Sequence, residues 1–152
     1  WKQAGESTRT THGAHEAIEC SQLFALQLRA ALRGEGKEAI LSTAPLAPLS
    51  DKVMALARGD YASKPIERIK GSGYCVESLE AALWCFARTQ SFEEAVLAAA
   101  NLGDDADTTA AICGQLAGAF YGAGSIPADW LRPLVMREEI EQMADQLLAL
   151  AG

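Results

Sequence analysis

The chain has 152 residues, is 49% hydrophobic and 22% charged, and carries 20 acidic against 13 basic side chains for a formal charge of −7. That is enough chain to bury a core as one globular unit, and the ordinary apolar fraction without long like-charge runs argues against disorder. The acidity argues against a nucleic-acid surface, which needs clustered Lys and Arg; a small anion met by local charge stays compatible with it.

In chain order, residues 1–13 are rich in Ser, Thr and Gly and read as a loop. From Ala14 the positions Ala14, Ile18, Ser21, Ala25, Leu28 and Leu32 recur at alternating steps of three and four, one face of a helix that Gly34 should end. A short helix over 37–42 follows and stops before Pro45 and Pro48. Ser50-Asp51 reads as an N-cap for a helix reaching Gly59, and 59–70 as an irregular connection.

A Gly-Ser-Gly turn at 71–73 leads into a helix over about 75–89, with Leu79, Leu83 and Phe86 on one side. Ser91 with Glu94 forms a capping box for the next helix, which Gly103 closes. The helix after Asp107 repeats small residues at Ala110, Gly114, Gly118 and Gly122, which lets a neighbour approach closely and predicts a central helix. A last amphipathic helix is expected over 138–150, using Ile140, Met143 and Leu147. No alternating strand pattern appears, so the expected fold class is all-α, a single helical bundle.

The cysteines at 20, 75, 85 and 113 have no framework spacing. They read as small buried hydrophobes in a reducing, cytoplasmic setting. No apolar run approaches the ~20 residues that cross a bilayer, so no membrane partner is expected.

Three carboxylates and two hydroxyls crowd Asp104-Asp105-Ala106-Asp107-Thr108-Thr109. Such oxygens are hard ligands for Mg²⁺, Mn²⁺ or Ca²⁺, and a loop-to-helix junction lets Asp105, Asp107 and Thr108 converge. The same residues also suit a helix start, where a capping Asp and first-turn acids meet the positive end of the macrodipole. An EF-hand is excluded, because its glycine position counted from Asp105 is Ala110 and its final glutamate position is Leu116. The turn Gly71-Ser72-Gly73-Tyr74 before a helix can receive a phosphate on free backbone N–H groups, with Tyr74 stacking on a base or sugar, or can serve as a plain turn. His12 and His15 lack a third neighbour for zinc. Trp84 and Trp130 read as packing residues.

Together these segments resemble the ADP-ribosylglycohydrolases. The resemblance rests on Thr10-Thr11-His12-Gly13 before a helix, on Gly71-Ser72-Gly73-Tyr74 before Glu77-Ser78-Leu79-Glu80-Ala81-Ala82-Leu83-Trp84, and on Asn101-Leu102-Gly103-Asp104-Asp105-Ala106-Asp107-Thr108. Ala117-Gly118-Ala119-Phe120-Tyr121-Gly122 and Ile126-Pro127 with Trp130 extend it over almost the whole chain. It implies an orthogonal all-α bundle whose cleft holds two divalent metals, usually Mg²⁺ with Mn²⁺ as the alternative. The implied activity is hydrolysis of the bond between ADP-ribose and a modified side chain, or of a related conjugate. By motif match Asp105, Asp107 and Thr108 become metal ligands, and His12, Gly71, Ser72, Gly73 and Tyr74 line the ADP-ribose site. The implied partner is ADP-ribose or an ADP-ribosylated protein.

The family's second metal segment, Thr-Asp-Asp, has no counterpart here. The expectation is therefore the C-terminal part of one such domain over 1–152, with catalytic carboxylates in a missing N-terminal segment and the chain alone inactive. Helices near Trp1 would then expose apolar faces to that segment or to self-association. The competing expectations are a non-catalytic ADP-ribose-binding or regulatory module, and a structural domain whose Asp cluster is only a cap.

Overall fold

The computed structural model describes residues 1–150, and within them the chain is helical without strands. The longer helices are α1 (Lys2–Arg9), α2 (His15–Leu32), α5 (Cys75–Arg88), α6 (Phe92–Ala100), α7 (Ala106–Tyr121) and α9 (Arg137–Leu150). Short helices α3 (Lys37–Leu41), α4 (Asp51–Ala57) and α8 (Ala128–Leu131) fill the connections, with 3₁₀ turns at Asp60–Ser63, Ile66–Arg68 and Ala123–Ser125. α7 is central, packing on α2, α5 and α6, and its Cys113, Leu116 and Ala117 are buried.

The helix ends follow their sequence signals. Gly34 takes a positive φ of 77°, its N–H reaches Ala31 O at 2.9 Å, and Glu35 N–H reaches Ala30 O at 3.1 Å. These paired bonds satisfy the last carbonyls of α2 in the way a C-terminal glycine permits. Ser91 Oγ accepts from Glu94 N–H at 3.1 Å, while the Glu94 carboxylate takes the Gln90 N–H at 2.8 Å rather than that of Ser91. The capping box therefore closes one residue further upstream than the standard pattern.

Residues 1–13 are not all loop. Trp1, Ala4, Gly5 and Thr8 lie at i, i+3, i+4 and i+7 and are the least exposed residues of this stretch, so α1 lays this stripe on α2. Gly5 is the point of closest approach: a Cβ there would stand 3.2 Å from Ile18 Cγ2 and 2.7 Å from Gln22 Nε2. Apart from Trp1, small and hydroxyl-bearing residues form this stripe, so hydrophobicity marks it poorly. Within this contact Gly5 is buried, while Trp1, Ala4 and Thr8 stay half-buried.

The face of α2 also differs from expectation. Its buried residues include Leu23, Leu26, Gln27, Ala30 and Ala31, whereas Ala14 and Leu32 are exposed. A helix packed on several sides carries more than one apolar stripe, and periodicity alone picks one of them. Gly114 and Gly118 of α7 are not tight either, since a Cβ would lie 3.6 Å from Val96 Cγ2 and 3.8 Å from Phe92 Cε2. These are ordinary contacts, so the small residues permit the α6–α7 packing without being required by it. Finally, α9 is amphipathic but unpacked along its length, and Ile140, Met143 and Leu147 are all exposed.

Candidate functional site

The ends of four helices surround one cleft of about 310 Å³. α2 contributes Ala17, Cys20, Ser21 and Phe24, again at i, i+3, i+4 and i+7. α7 contributes Thr108, Ile112 and Gln115, spaced four and three apart. Thr8 and His12 close one side, and Gly73, Cys75, Ser78 and Leu79 the other. Segments from residues 8 to 115 thus meet on one surface, and no Lys, Arg, Asp or Glu lines it.

The Gly-Ser-Gly turn is pinned to the acidic segment by backbone. Gly71 O accepts the Asp105 N–H at 2.7 Å. A Cβ on Gly71 would stand 3.1 Å from Gly103 O and 3.2 Å from the buried Thr109 Oγ1, so a side chain here would force the two backbone segments apart by a few tenths of an ångström. At Gly73 a Cβ would meet Asp105 Oδ2 at 3.4 Å. Asp105 is therefore against the turn, Thr108 faces the cleft, and Asp107 is exposed on the first turn of α7 between them.

The turn is also braced from within. Ser72 Oγ donates to Glu77 Oε2 at 2.5 Å and accepts the Tyr74 N–H at 3.2 Å, and Ser78 Oγ donates to Ser72 O at 2.6 Å. The Ser72 hydroxyl, helped by Lys70 3.5 Å away, holds the Glu77 carboxyl below its ordinary value. Tyr74 does not face the cleft: its hydroxyl donates to Glu16 and accepts from Lys52 Nζ at 2.9 Å, and that ammonium stands 5.0 Å from the ring centroid. The Tyr74 hydroxyl, then Lys52, holds the Glu16 carboxyl low, and Glu16 in turn raises the Tyr74 phenol.

His12 is exposed at the cleft edge, with Nδ1 2.9 Å from Thr11 Oγ1. His15 points away, its Nε2 3.0 Å from Glu19 Oε1. Glu19 is buried and accepts both the Ser50 N–H, at 3.0 Å, and the Ser50 hydroxyl, at 2.5 Å. Ser50 accordingly begins α4 without capping it by its side chain and instead ties the preceding loop to α2.

Asp105 begins α7 in the N-cap position but makes no side-chain capping bond. Among the described residues no ion pair engages Asp104, Asp105 or Asp107. Uncommitted carboxylates beside a threonine hydroxyl are a donor set of hard oxygens, and its chemistry fits a hard dication. The complement is short, however: no group of three His, Cys, Asp or Glu side chains that could hold a metal ion occurs among the described residues.

Sequence reasoning missed Thr8, Gln115 and the Glu16–Tyr74–Lys52 cluster. Gln115 had left a signal, as the polar interruption of an apolar run one turn beyond Ile112 and two beyond Thr108. The Tyr74 cluster joins residues 16, 52 and 74 and has no local signature.

The all-α fold is shared with solved structures. One, described as an ADP-ribosylglycohydrolase-related protein complex, matches with a TM-score of 0.87 at 48% identity over 94% of this chain and 50% of that one. The chain belongs to the ADP-ribosylglycohydrolase family, whose model matches residues 1–152. It is 42% identical over 147 residues to ADP-ribosylarginine hydrolase Tri1 of Pseudomonas putida, covering 97% of this chain and 39% of that protein. It is also 42% identical over 85 residues to the ADP-ribosyl-[dinitrogen reductase] glycohydrolase of Rhodospirillum rubrum, covering 55% of this chain and 29% of that protein. The chain thus spans about four-tenths of the first of these relatives and half of the solved chain. No helix among the described residues is long and apolar enough to cross a membrane.

Proposed function

We propose that this chain supplies part of the site of a metal-dependent hydrolase that cleaves the glycosidic bond between ADP-ribose and a modified side chain, arginine among the candidates. What supports the reading is the cleft at which His12, Gly73 and Thr108 meet, with Asp105 against the turn that carries Gly73. In this reading Asp105, Asp107 and Thr108 hold Mg²⁺, with Mn²⁺ as the alternative, in a two-metal site. Bound there, the metal supplies positive charge to a diphosphate or ribose hydroxyl and lowers the pKa of a bound water. His12 donates a hydrogen bond at the cleft edge, and Gly73 lets ligand and backbone approach closely. Tyr74 acts through Glu16 and Lys52 to fix the turn rather than by stacking on the ligand.

One observation favours a second reading, an ADP-ribose-binding or regulatory module that needs no metal: the absence of a three-ligand group among the described residues. Calorimetry with ADP-ribose, with and without Mg²⁺, separates the two. The hydrolase reading expects Mg²⁺ to tighten ADP-ribose binding in the 152-residue chain, and Asp105→Ala to remove that gain while leaving the fold intact. Equal binding with and without Mg²⁺ favours the module. No binding of ADP-ribose under either condition by the folded chain refutes both.

A further inference from the structure

The cleft wall carries two thiols that the proposed function does not use. Cys20 on α2 and Cys75, the first residue of α5, both line the cavity, and the two helices pack against one another. Cys20 is buried and Cys75 half-buried. Burial pushes the Cys20 thiol up, and the Cys75 thiol beside it adds to the shift. The other two cysteines lie elsewhere, in the core. Burial pushes Cys85 up to about 11 and Cys113 up to about 12, and Cys113 donates to Ala95 O at 3.4 Å. All four thiols are free.

We infer that Cys20 and Cys75 form a reversible oxidation site, in which a small peroxide entering the cleft joins them as a disulfide across the α2–α5 contact. The two residues have different parts. Cys75 is the less buried of the two, so its sulfur attacks the peroxide, the O–O bond breaks, and a sulfenic acid and one water form. The Cys20 sulfur then attacks the Cys75 sulfur. The sulfenic hydroxyl leaves with the Cys20 proton as a second water. Two thiols lose two electrons in total and the peroxide takes them, so hydrogen peroxide or an alkyl hydroperoxide is the whole requirement. A buried thiol held in its protonated form is a slow first nucleophile but a protected resolving partner, which suits Cys20 to the second step. Nothing in this inference depends on ADP-ribose binding.

The test is to expose the chain to a few equivalents of hydrogen peroxide, block the remaining thiols with N-ethylmaleimide, and map the peptides. The expected product is an intramolecular Cys20–Cys75 bond, about 2 Da lighter than the reduced chain and reversed by dithiothreitol, with Cys85 and Cys113 unoxidised. Cys75→Ser is expected to abolish that product and leave Cys20 unoxidised. Three results would overturn the inference: Cys75 recovered as sulfinic acid with Cys20 reduced, a bond involving Cys85 or Cys113, or no oxidation at peroxide levels that oxidise a free cysteine. The wild-type map decides the matter alone should the variant fold poorly.

Discussion

Replacing Lys37 by Met tests how the C-terminal end of α5 is held. Lys37 opens α3, and its ammonium donates to Phe86 O at 2.7 Å and to Thr89 O, at the end of α5. It also stands 4.5 Å from the Phe86 ring centroid, 5.3 Å from that of Tyr121 and 5.8 Å from that of Phe120. A cation at a helix C-terminus satisfies carbonyls that have no helical partner and meets the negative end of the macrodipole. Each charged hydrogen bond contributes roughly 1.5–3 kcal/mol and the aromatic faces about 1 kcal/mol more. Those terms do not all vanish in the variant. Thr89 Oγ1 still reaches Phe86 O at 3.5 Å and Tyr121 OH still donates to Thr89 O at 3.2 Å, so neither carbonyl is orphaned. Methionine also keeps the apolar stem against the rings. The net loss expected for Lys37→Met is therefore about 2–3 kcal/mol, or roughly 5–10 °C in Tm for a domain of this size. Urea denaturation followed by circular dichroism measures it, and Lys37→Arg, which keeps the charge, should recover part of the loss. A Lys37→Met midpoint indistinguishable from wild type would refute the assignment of Lys37 as the clasp between α3 and α5.

Further outcomes follow from the same contacts. Gly71→Ala puts a methyl 3.1 Å from Gly103 O, so a loss of about 1–3 kcal/mol is expected, while Gly13→Ala, with open space around it, should change stability by under about 0.5 kcal/mol; equal melting curves for the two would refute the close approach. Glu16 and Glu77 have lowered carboxyl pKa values, so the stability they lend is present above the ordinary value of 4.5 and lost as pH falls through the lowered range. Amide exchange over residues 72–77, corrected for its intrinsic pH dependence, should accelerate below pH 4.5 and be less pH-sensitive in Glu16→Gln; an unchanged profile would count against the bracing. Gln27 is 0% exposed and neither side-chain polar atom has a protein partner, so Gln27→Met should raise stability by about 1–2 kcal/mol, and a lowered Tm would contradict this.

The helix boundaries were legible wherever local chemistry decides them. Gly34, Ser91 and Gly103 sit where their backbone roles require, and Leu79, Leu83 and Phe86 are buried as their spacing predicts. What the sequence did not show were contacts with no local cause. α1 docks through Gly5 and Thr8, residues whose small size makes the packing and hides it from any hydrophobicity pattern. Tyr74 is held by partners 58 and 22 residues away, so its position before a helix suggested a stacking role and gave no sign of these hydroxyl bonds. α9 shows the opposite failure. Its periodicity is sound, yet Ile140, Met143 and Leu147 stay exposed, because a pattern specifies which face can be buried and not what buries it.

The chain carries a formal charge of −7, which opposes any anionic ligand. A diphosphate entering the cleft would find no Lys or Arg in its lining, and the two lysines nearest the turn, Lys52 and Lys70, are already paired with Glu16 and Glu77. Anion binding in such a place needs oriented backbone N–H groups or a bound cation. Both sources converge on the same few residues: the start of α5 supplies the N–H groups, and the carboxylates of Asp105 and Asp107, committed to no ion pair, can recruit the cation. In the proposed reading, an acidic protein holds an anionic ligand on these terms because the acids nearest the cleft would serve a metal instead of facing the phosphate. Replacing Asp105 and Asp107 by Asn should then weaken ADP-ribose binding in Mg²⁺ even though it removes two negative charges. Tighter binding in that double variant would show simple repulsion to be the stronger effect, and would remove the metal from the site.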